Sequence, residues 1–341
     1  TGNALSIASN RVSYSLDLRG PSLSVDTACS SGSLAVHLAM ESLRRGESNA
    51  ALAGGANLMM APDVTIAFSN SHMLSPEGRC RSYDANASGY VRGEGCAFVL
   101  LKRLEDAQRD GDDIRGVLLG TAVNQDGRTP GIAAPSVLQQ QACLRAALAD
   151  AGLTPADIDY VEGHGTGTPL GDPIELQALA HVFPKQGEDD RPLWVTSVKG
   201  NIGHTETVSG VAGLIKTVLL MQHQTVPPQP FLEKLNPHVQ IGKSRVEPLT
   251  EQRDWPSRLA GGGRRRVAGV SSFGFGGTNT HLVVAEPPLR TPPNASPERT
   301  AHVVKLAAKT ADRIPEQAQR LAQWLRSEDG FEATVADVAT R

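Results

Sequence analysis

The sequence predicts an α/β fold, because short apolar runs with the character of buried strands alternate with helical segments along most of its 341 residues. Hydrophobic residues make up 40% of the chain and charged residues 20%, which predicts a globular protein with a sizeable core. Residues 287–300 break the alternation, and their many prolines predict a linker.

The elements follow from hydrophobic periodicity and from glycine and proline positions. Predicted helices cover residues 3–16, 29–45, 104–109, 136–152, 172–183 and 209–222. Predicted strands cover residues 22–26, 50–56, 96–102, 114–123, 158–162, 194–198, 267–272 and 281–286, the last two as a hairpin. Residues 57–92 are expected to be loop-rich. After the linker we expect a short strand at 302–306 and a helix with apolar positions at Ala318, Leu321, Ala322, Trp324 and Leu325.

Charge and composition argue against several classes of partner. The net charge of −3 and the 4% content of aromatic residues disfavour nucleic acid and anionic membrane surfaces. No apolar run approaches the length of a membrane span. The cysteines are scattered without C-x-x-C spacing, which disfavours a zinc site or a disulfide framework and favours a reducing, cytoplasmic location. They are Cys29, Cys80, Cys96 and Cys143.

Cys29 is the first candidate catalytic residue. It follows an apolar run containing Leu23 and Val25 and precedes a helix that Gly46 closes, which predicts a sharp strand-to-helix turn. At a helix N-terminus, free N–H groups and the helix dipole stabilise a thiolate, so we expect a nucleophile. The small residues 30–33 predict close approach of a neighbour. The alternative is a small, buried, inert cysteine.

The second candidate is a glycine-dense loop at residues 163–168, which carries His164 after a predicted strand. The glycines let a ligand approach the backbone, and the threonine hydroxyls can bond an amide-bearing ligand. A phosphate-binding loop is disfavoured, because neither Gly-Lys-Ser/Thr nor a helix-opening G-x-G-x-x-G is present. A tight turn with an incidental histidine is the alternative.

Two further loops carry candidate groups. Lys199 and His204 lie five residues apart between a strand and a helix. A nearby ammonium lowers the pKa of an imidazole, so His204 would stay neutral and donate to a developing oxyanion. A surface lysine and a structural histidine are the alternative. The segment 271–281 contains a glycine-rich turn with two phenylalanines, which could gate a tunnel and supply a backbone N–H, or be a simple hairpin turn.

Together, Cys29, His164 and His204 form a coherent nucleophilic site. A thiolate attacks a thioester, and two neutral imidazoles stabilise an enolate or a thioester oxyanion. A metal site with one cysteine and two histidines is a weaker alternative, because the three residues lie far apart in the chain without paired local ligands.

The chain resembles a β-ketoacyl synthase, and more closely the ketosynthase domain of a modular type I polyketide synthase. The resemblance covers nearly all of residues 1–287. It rests on Asp26–Ser31, Gly163–Thr168, Lys199–His204 and Gly274–Asn279, with connecting segments Leu74–Cys80, Gly89–Gly95 and Val123–Gly127. The segment from Leu306 to Thr310 and the helix after it resemble the linker to an acyltransferase.

The resemblance implies a thiolase-like fold, a five-layer αβαβα sandwich built from two related α/β halves that each contain a five-stranded mixed sheet. Residues 1–111 would be the remainder of an N-terminal half, 112–287 a C-terminal half and 288–341 a linker. Only 28 residues precede the cysteine, so we expect the N-terminal half to be incomplete and this piece not to fold stably alone.

Roles are also implied by the resemblance. Cys29 would take an acyl chain from an acyl carrier protein, with its own N–H and that of Phe275 as the oxyanion hole. His164 and His204 would assist decarboxylation of a malonyl or methylmalonyl unit, and Lys199 would tune them. The expected substrate-binding residues are Thr166, Thr168, Phe273, Gly274, Gly276 and Asn279.

The implied partners are an acyl carrier protein with its phosphopantetheine arm, an adjacent acyltransferase domain and a second copy in a homodimer. No metal or bound cofactor is implied, because loss of CO2 generates the carbon nucleophile. Two alternatives remain: a thiolase or hydroxymethylglutaryl-CoA synthase, and a non-condensing or structural ketosynthase-like domain. The paired histidines disfavour the first, and the retained cysteine disfavours the second.

Overall fold

The computed structural model describes residues 4–185, 187, 191–257, 259, 263–289, 303–327 and 338. It confirms the predicted α/β class, with strands and helices alternating along the chain. The chain divides into two compact units, residues 1–289 and residues 290–341. Among the described residues, no helix has both the length and the apolar character that crossing a bilayer requires.

The strands and helices of the described residues are as follows. The strands are β1 (Ala50–Asn57), β2 (Gly95–Lys102), β3 (Val117–Gln125), β4 (Tyr160–Glu162), β5 (Leu193–Thr196), β6 (Thr225–Val226), β7 (Val246–Pro248), β8 (Arg253–Asp254), β9 (Val267–Phe273) and β10 (Thr278–Ala285). The helices are α1 (Leu5–Ser15), α2 (Ser31–Arg44), α3 (Asp63–Asn70), α4 (Leu104–Asp110), α5 (Val137–Asp150), α6 (Gly171–Val182), α7 (Lys199–Ile202), α8 (Ser209–His223) and α9 (Ile314–Leu325).

The larger sheet has six strands in the order β3-β10-β9-β4-β5-β7. Strands β9, β4, β5 and β7 run parallel to one another, whereas β10 pairs antiparallel with both β9 and β3, so the sheet is mixed. The resemblance implied five strands for this half. The structure adds β7, a three-residue strand at the edge beside β5.

Four layers are stacked in the first unit. Strands β1 and β2 form a two-stranded antiparallel sheet, and α2 and α8 lie side by side between it and the six-stranded sheet. Helices α5 and α6 pack together on the other face of the larger sheet. This is a β-α-β-α order. The fifth layer of the expected sandwich would lie on the outer face of β1 and β2, where Leu52, Phe98 and Leu100 are exposed.

Small residues let α2 and α8 approach each other closely. A Cβ atom on Gly32 would lie 2.8 Å from the backbone oxygen of Thr207. A Cβ atom on Gly210 would lie 2.0 Å from the Ser33 hydroxyl. This confirms the expectation that the small residues at the start of α2 allow close packing.

Three predicted elements differ from the structure. Residues 22–26 do not form a strand, because an apolar β-branched run needs a neighbouring strand and no strand among the described residues pairs with it. Residues 57–92 contain the helix α3, which the prolines and glycines on either side concealed. Of the predicted strand at 302–306, residue 302 lies outside the described residues, and residues 303–306 are not a strand. The terminal helix is confirmed as α9, and the predicted hairpin is confirmed as β9 and β10.

Candidate active site

Cys29 lies on a sharp turn just before α2. Ala28 has a φ of +57°, a left-handed conformation that non-glycine residues rarely adopt. The Asp26 carboxylate accepts the Ala28 N–H at 2.9 Å, and the Ser31 hydroxyl accepts the Thr27 N–H at 2.9 Å. These bonds hold the strained turn, which places the cysteine in a single 3-10 turn at the start of the helix.

The larger sheet and α8 anchor this turn from the other side. The carbonyl oxygen of Cys29 accepts hydrogen bonds from the hydroxyls of Ser209 in α8 and Ser272 in β9, at 3.1 and 2.7 Å. A Cβ atom on Gly274 would lie 2.3 Å from the Thr27 carbonyl oxygen. The turn after β9 therefore reaches the cysteine because position 274 has no side chain.

The structure brings Cys29, His164 and His204 together. The sulfur and one ring nitrogen from each histidine all lie within 4.8 Å of one another. The two imidazole rings are 5.5 Å apart between centroids and nearly perpendicular, at 83°. His164 follows β4 and His204 follows α7, so both histidines come from loops at the ends of secondary-structure elements.

Backbone N–H groups fix the tautomer of both rings. The N–H of Glu206 donates to Nδ1 of His204 at 2.9 Å, and the N–H of Phe273 donates to Nδ1 of His164 at 3.4 Å. A neutral ring that accepts at Nδ1 carries its proton on Nε2. Both histidines can therefore offer an Nε2–H donor to a ligand.

Both histidines are neutral at physiological pH. Burial lowers the pKa of His164 well below its ordinary value, and the Lys199 ammonium lowers it further. Burial likewise lowers the pKa of His204 well below the ordinary value, with added contributions from Lys199 and Arg92. The sequence predicted this direction for His204 from the lysine alone, whereas desolvation is the larger cause.

The predicted thiolate of Cys29 is wrong for the resting site. Burial raises the pKa of the Cys29 thiol to about 11. The Lys199 ammonium and the N–H groups of Phe275 and Cys29 lower that pKa without overcoming desolvation. The resting group is therefore a thiol, with two N–H donors directed at its sulfur.

Lys199 is buried at the start of α7, one helical turn where the sequence predicted a loop. Burial lowers its pKa, while the carboxylates of Glu162 and Glu175 favour its charged form. Glu162 also accepts the N–H of Val198 at 2.6 Å and pairs with Lys216 of α8 at 2.7 Å. Glu162 therefore anchors the segment that carries Lys199, and both acids favour the positive charge of the lysine.

Two acids of α6 shape the His164 loop, and the sequence analysis did not identify them. The Glu175 carboxylate accepts the N–H groups of His164 and Gly165 at 2.6 and 2.8 Å. Asp172 accepts the N–H groups of Tyr83 and Gly167 at 2.6 and 3.1 Å, and burial raises its pKa to about 7. Two acids three residues apart in a helix that directly follows the glycine loop are the signal that could have revealed them.

The threonines of the same loop bond to each other. The hydroxyls of Thr166 and Thr168 are 3.0 Å apart, and that of Thr168 also accepts the Gly171 N–H at 3.2 Å. Thr166 is buried and Thr168 is partly exposed. Each hydroxyl has further capacity for a ligand, because a hydroxyl has one donor and two acceptor positions.

The turn between β9 and β10 holds the remaining predicted residues. Phe273 ends β9 and its ring lies 5.6 Å from that of His164. Phe275 is exposed, and its ring meets Phe68 of α3 edge-on, with 5.8 Å between the ring centroids. Gly276 faces open space.

Asn279, which the resemblance implied to be a substrate-binding residue, has hydrogen-bond partners within the protein. It is buried on β10 opposite Asn124 of β3. Its amide nitrogen donates to Asn124 at 3.1 Å and to Asp126 at 2.7 Å. The side chain therefore holds the end of β3 against β10, because strand pairing brings these polar side chains together.

The cysteine and the two histidines are close enough to hold a metal ion as well as a thioester. Sequence separation does not exclude that arrangement, since the loops meet in space. However, the buried Lys199 ammonium acts on both histidines, and it would repel a divalent cation. The site therefore favours the nucleophile interpretation over the metal one.

Comparison with known proteins agrees with this geometry. The family model of the β-ketoacyl synthase N-terminal domain matches residues 1–107, and that of its C-terminal domain matches residues 115–233. The chain belongs to the β-ketoacyl synthase family. Members of this family are condensing acyltransferases. The ketoacyl-synthetase C-terminal extension matches residues 236–341.

Relatives of this β-ketoacyl synthase chain are polyketide synthases. A phenolphthiocerol/phthiocerol polyketide synthase of Mycobacterium tuberculosis is 48% identical over 340 residues, which are 99% of this chain and 18% of that protein. The ketosynthase from module 6 of the bacillaene synthase of Bacillus subtilis 168 is 39% identical with a TM-score of 0.86. The oxazolomycin ketosynthase OzmH KS7 of Streptomyces albus JA3453 is 38% identical with a TM-score of 0.88.

These structural matches confirm the thiolase-like fold. Each solved ketosynthase covers 99% of this chain, whereas this chain spans 58% of the length of each solved chain. It spans less than a fifth of the length of the mycobacterial relative named above.

Proposed function

We propose that this chain catalyses decarboxylative condensation as a ketosynthase of a polyketide synthase. The observation that carries the proposal is the meeting of the Cys29 sulfur with ring nitrogens of His164 and His204, all within 4.8 Å. A sulfur nucleophile beside two neutral N–H donors suits a reaction between an acyl thioester and an enolate.

In the loading step, an acyl carrier protein presents an acyl chain as a thioester of its phosphopantetheine arm. The Cys29 sulfur attacks the carbonyl carbon, and the bond from that carbon to the arm's sulfur breaks. The proton of the Cys29 thiol ends on the released pantetheine thiol. The N–H groups of Cys29 and Phe275 approach the sulfur, and they bind the oxyanion of the tetrahedral intermediate.

In the condensation step, a malonyl or methylmalonyl group on a carrier protein loses CO2. The electron pair of the broken carbon–carbon bond becomes an enolate, whose oxygen accepts hydrogen bonds from Nε2–H of His164 and His204. The enolate carbon attacks the acyl group on Cys29, the carbon–sulfur bond breaks, and the thiolate takes a proton from solution. Burial keeps both rings neutral, and the Lys199 ammonium opposes their protonation further.

The surroundings supply binding groups for the carrier arm. The hydroxyls of Thr166 and Thr168 bond its amides, and Phe273, Gly274 and Gly276 shape the turn beside the cysteine. An open, largely apolar groove lies next to His204. It is lined by Met59, Met60, Pro62, Leu74, Tyr90 and Val91 among others, and the Tyr90 ring contacts the His204 ring at 5.0 Å.

The proposal includes three partners and a location. The partners are an acyl carrier protein, an acyltransferase domain joined through residues 288–341, and a second copy of the chain. The polyketide synthase relatives support the first two. All four cysteines are free thiols, which supports a reducing cytoplasm. Residues 1–111 and 112–287 are then the two parts of one ketosynthase.

The other cysteines bear on the thiolase alternative, which requires a second catalytic thiol. Cys80 is buried and accepts the Val91 N–H at 3.3 Å. Cys143 is buried and bonds the Ala122 carbonyl oxygen at 3.5 Å. Cys96 is exposed on β2. None of the three joins the cluster of Cys29 with the two histidines, which favours the condensing ketosynthase.

Acyl transfer from a radiolabelled acyl carrier protein tests the nucleophile. The wild-type protein should retain the label covalently, and Cys29→Ala should retain none. Cys96→Ala is the matched control, because it removes an exposed thiol outside the site and should load normally. Label that survives Cys29→Ala would contradict the assignment.

A further inference from the structure

The structure contains a partly buried ion pair beside His204 that the proposed chemistry does not use. Arg92 and Glu206 pair through two guanidinium nitrogens, Nε to Oε1 and Nη2 to Oε2, the second at 2.9 Å. Their side chains are only 8% and 16% exposed. A two-bond contact between a guanidinium and a carboxylate restricts both groups more than a single contact does.

Glu206 holds an unusual backbone conformation. Its φ is +51°, in the left-handed region that costs a non-glycine residue on the order of 1 kcal/mol. In this conformation its N–H donates to Nδ1 of His204 at 2.9 Å. The strain thus accompanies the bond that fixes the tautomer of the catalytic ring.

Arg92 is itself held in place from three sides. Its Nη1 donates to the hydroxyl of Thr65 at 2.6 Å, and its guanidinium carbon lies 5.4 Å from the centre of the Phe68 ring. Its backbone forms a bridge with His204, in which the Gly93 N–H donates to the His204 carbonyl oxygen at 2.8 Å. The arginine therefore connects α3 with the histidine loop.

We propose that Arg92 is a positioning residue for His204, acting through the carboxylate of Glu206. The ion pair keeps Glu206 in its left-handed conformation, and this conformation keeps the backbone N–H on Nδ1. Nε2–H then remains directed at the enolate oxygen. This inference rests on the proposed function, because the enolate is formed only in the condensation step.

Loss of the ion pair has a specific consequence. Without its partner, Glu206 can relax to a right-handed backbone conformation and withdraw its N–H from His204. The ring can then rotate or exchange tautomers, and fewer molecules present the correct donor. Loading of Cys29 uses the N–H groups of Cys29 and Phe275, so loading should not depend on this ion pair.

The test measures two rates in the intact protein, acyl loading of Cys29 from acyl carrier protein and CO2 release from malonyl carrier protein. Arg92→Leu should slow CO2 release by about 10- to 100-fold, the range typical of mutating residues that orient the histidine ligands of metal sites. It should leave loading unchanged. Arg92→Lys should release CO2 at a rate between those of the wild-type protein and Arg92→Leu, because an ammonium keeps the positive charge but cannot form the two parallel hydrogen bonds of a guanidinium.

A second comparison distinguishes positioning from a general structural role. In a His204→Ala background, Arg92→Leu should slow CO2 release no further, since its only target is gone. Arg266→Leu is the matched control, because Arg266 and Glu286 also form a buried two-bond pair, at 8% and 3% exposure, elsewhere in the protein. It should lower stability without changing the ratio of the two rates.

Equal slowing of loading and CO2 release by Arg92→Leu would overturn the proposal, as would an additive loss in the His204→Ala background. Where Arg92→Leu does not accumulate as folded protein, Glu206→Gln replaces it in the same measurements of loading and CO2 release. Glutamine keeps the shape of the glutamate side chain and removes its charge. A wild-type protein that neither loads Cys29 nor releases CO2 would instead contradict the proposed function, and the inference with it.

Discussion

The two sheets of the first unit differ in how they are covered. The six-stranded sheet is covered by α5 and α6 on one face and by α2 and α8 on the other, and every residue of β9 is buried. The sheet of β1 and β2 is covered on one face, and Leu100 on the other face is 70% exposed. The six-stranded sheet is therefore packed on both faces, whereas the sheet of β1 and β2 is packed on one face only.

The difference shows where the site obtains its rigidity. His164, Lys199 and the Phe275 turn all follow strands of the fully covered sheet. Cys29 lies in the 3-10 turn just before α2, the helix that lies between the two sheets. A sheet packed on both faces holds its loops more precisely than a sheet with one exposed face. The six-stranded sheet therefore fixes the histidines, and the cysteine opposite them is supported by both sheets.

The largest expected effect is on stability and separates the two sheets directly. Leu282→Ala removes a side chain that is fully buried in β10, and should lower the free energy of unfolding by about 2–5 kcal/mol. Leu100→Ala on β2 should change it by less than about 0.5 kcal/mol, because solvent already reaches that side chain. Urea denaturation of the intact protein measures both. A loss of several kcal/mol for Leu100→Ala would show that another layer covers β2.

An intermediate effect comes from His281, a buried histidine of the six-stranded sheet. Burial lowers the pKa of His281 in β10 to about 3, well below the 6.5 expected for an unfolded chain. Below pH 6.5 the unfolded state binds a proton that the folded state does not. The free energy of unfolding should therefore fall as the pH falls from 6.5 towards 3, by about 1.4 kcal/mol per pH unit for each such histidine.

Variants identify the source of this pH dependence. In His281→Gln the free energy of unfolding should change with pH less steeply than in the wild-type protein, by about 1.4 kcal/mol per pH unit between pH 6 and pH 4.5. Urea denaturation at each pH measures this. The exposed His181 of α6 is the control, and His181→Gln should leave the slope unchanged. An unchanged slope in His281→Gln would contradict a neutral, buried His281.

The smallest expected effect concerns how the layers are joined. Arg44 of α2 pairs with Asp150 of α5 at 2.9 Å, but both side chains are about one-third exposed. Partly exposed pairs contribute about 0–1 kcal/mol, so Arg44→Met should destabilise the protein by no more than that. A larger loss in urea denaturation would mean that ion pairs, rather than apolar packing, hold α2 against the larger sheet.

The sequence was sufficient for the features that depend on local pattern. The turn at Cys29, the glycine loop of His164 and the hairpin of β9 and β10 follow from local residue types, and the structure contains all three. The strand predicted at residues 22–26 does not form, because strand formation depends on a partner strand that local propensity cannot supply.

Features that depend on contacts between residues far apart in the chain could not be predicted from the sequence. The pKa of Cys29 is set by burial under loops more than 100 residues away, which outweighs the local effect of the helix terminus. The support of His204 by Glu206 requires Arg92, which is 114 residues from that acid. No local pattern indicates such a pairing, so these residues became visible only in three dimensions.

The central claim is that the Cys29 sulfur carries the acyl chain, whereas the imidazoles of His164 and His204 promote loss of CO2. It is tested most directly by measuring acyl loading and CO2 release from malonyl carrier protein on the same preparations of Cys29→Ala and His164→Ala. We predict that Cys29→Ala loses loading but still releases CO2. We predict that His164→Ala still loads but releases CO2 about 100- to 1000-fold more slowly, the loss typical of removing one oxyanion donor. Loss of both activities in each variant, with the fold intact, would contradict the account.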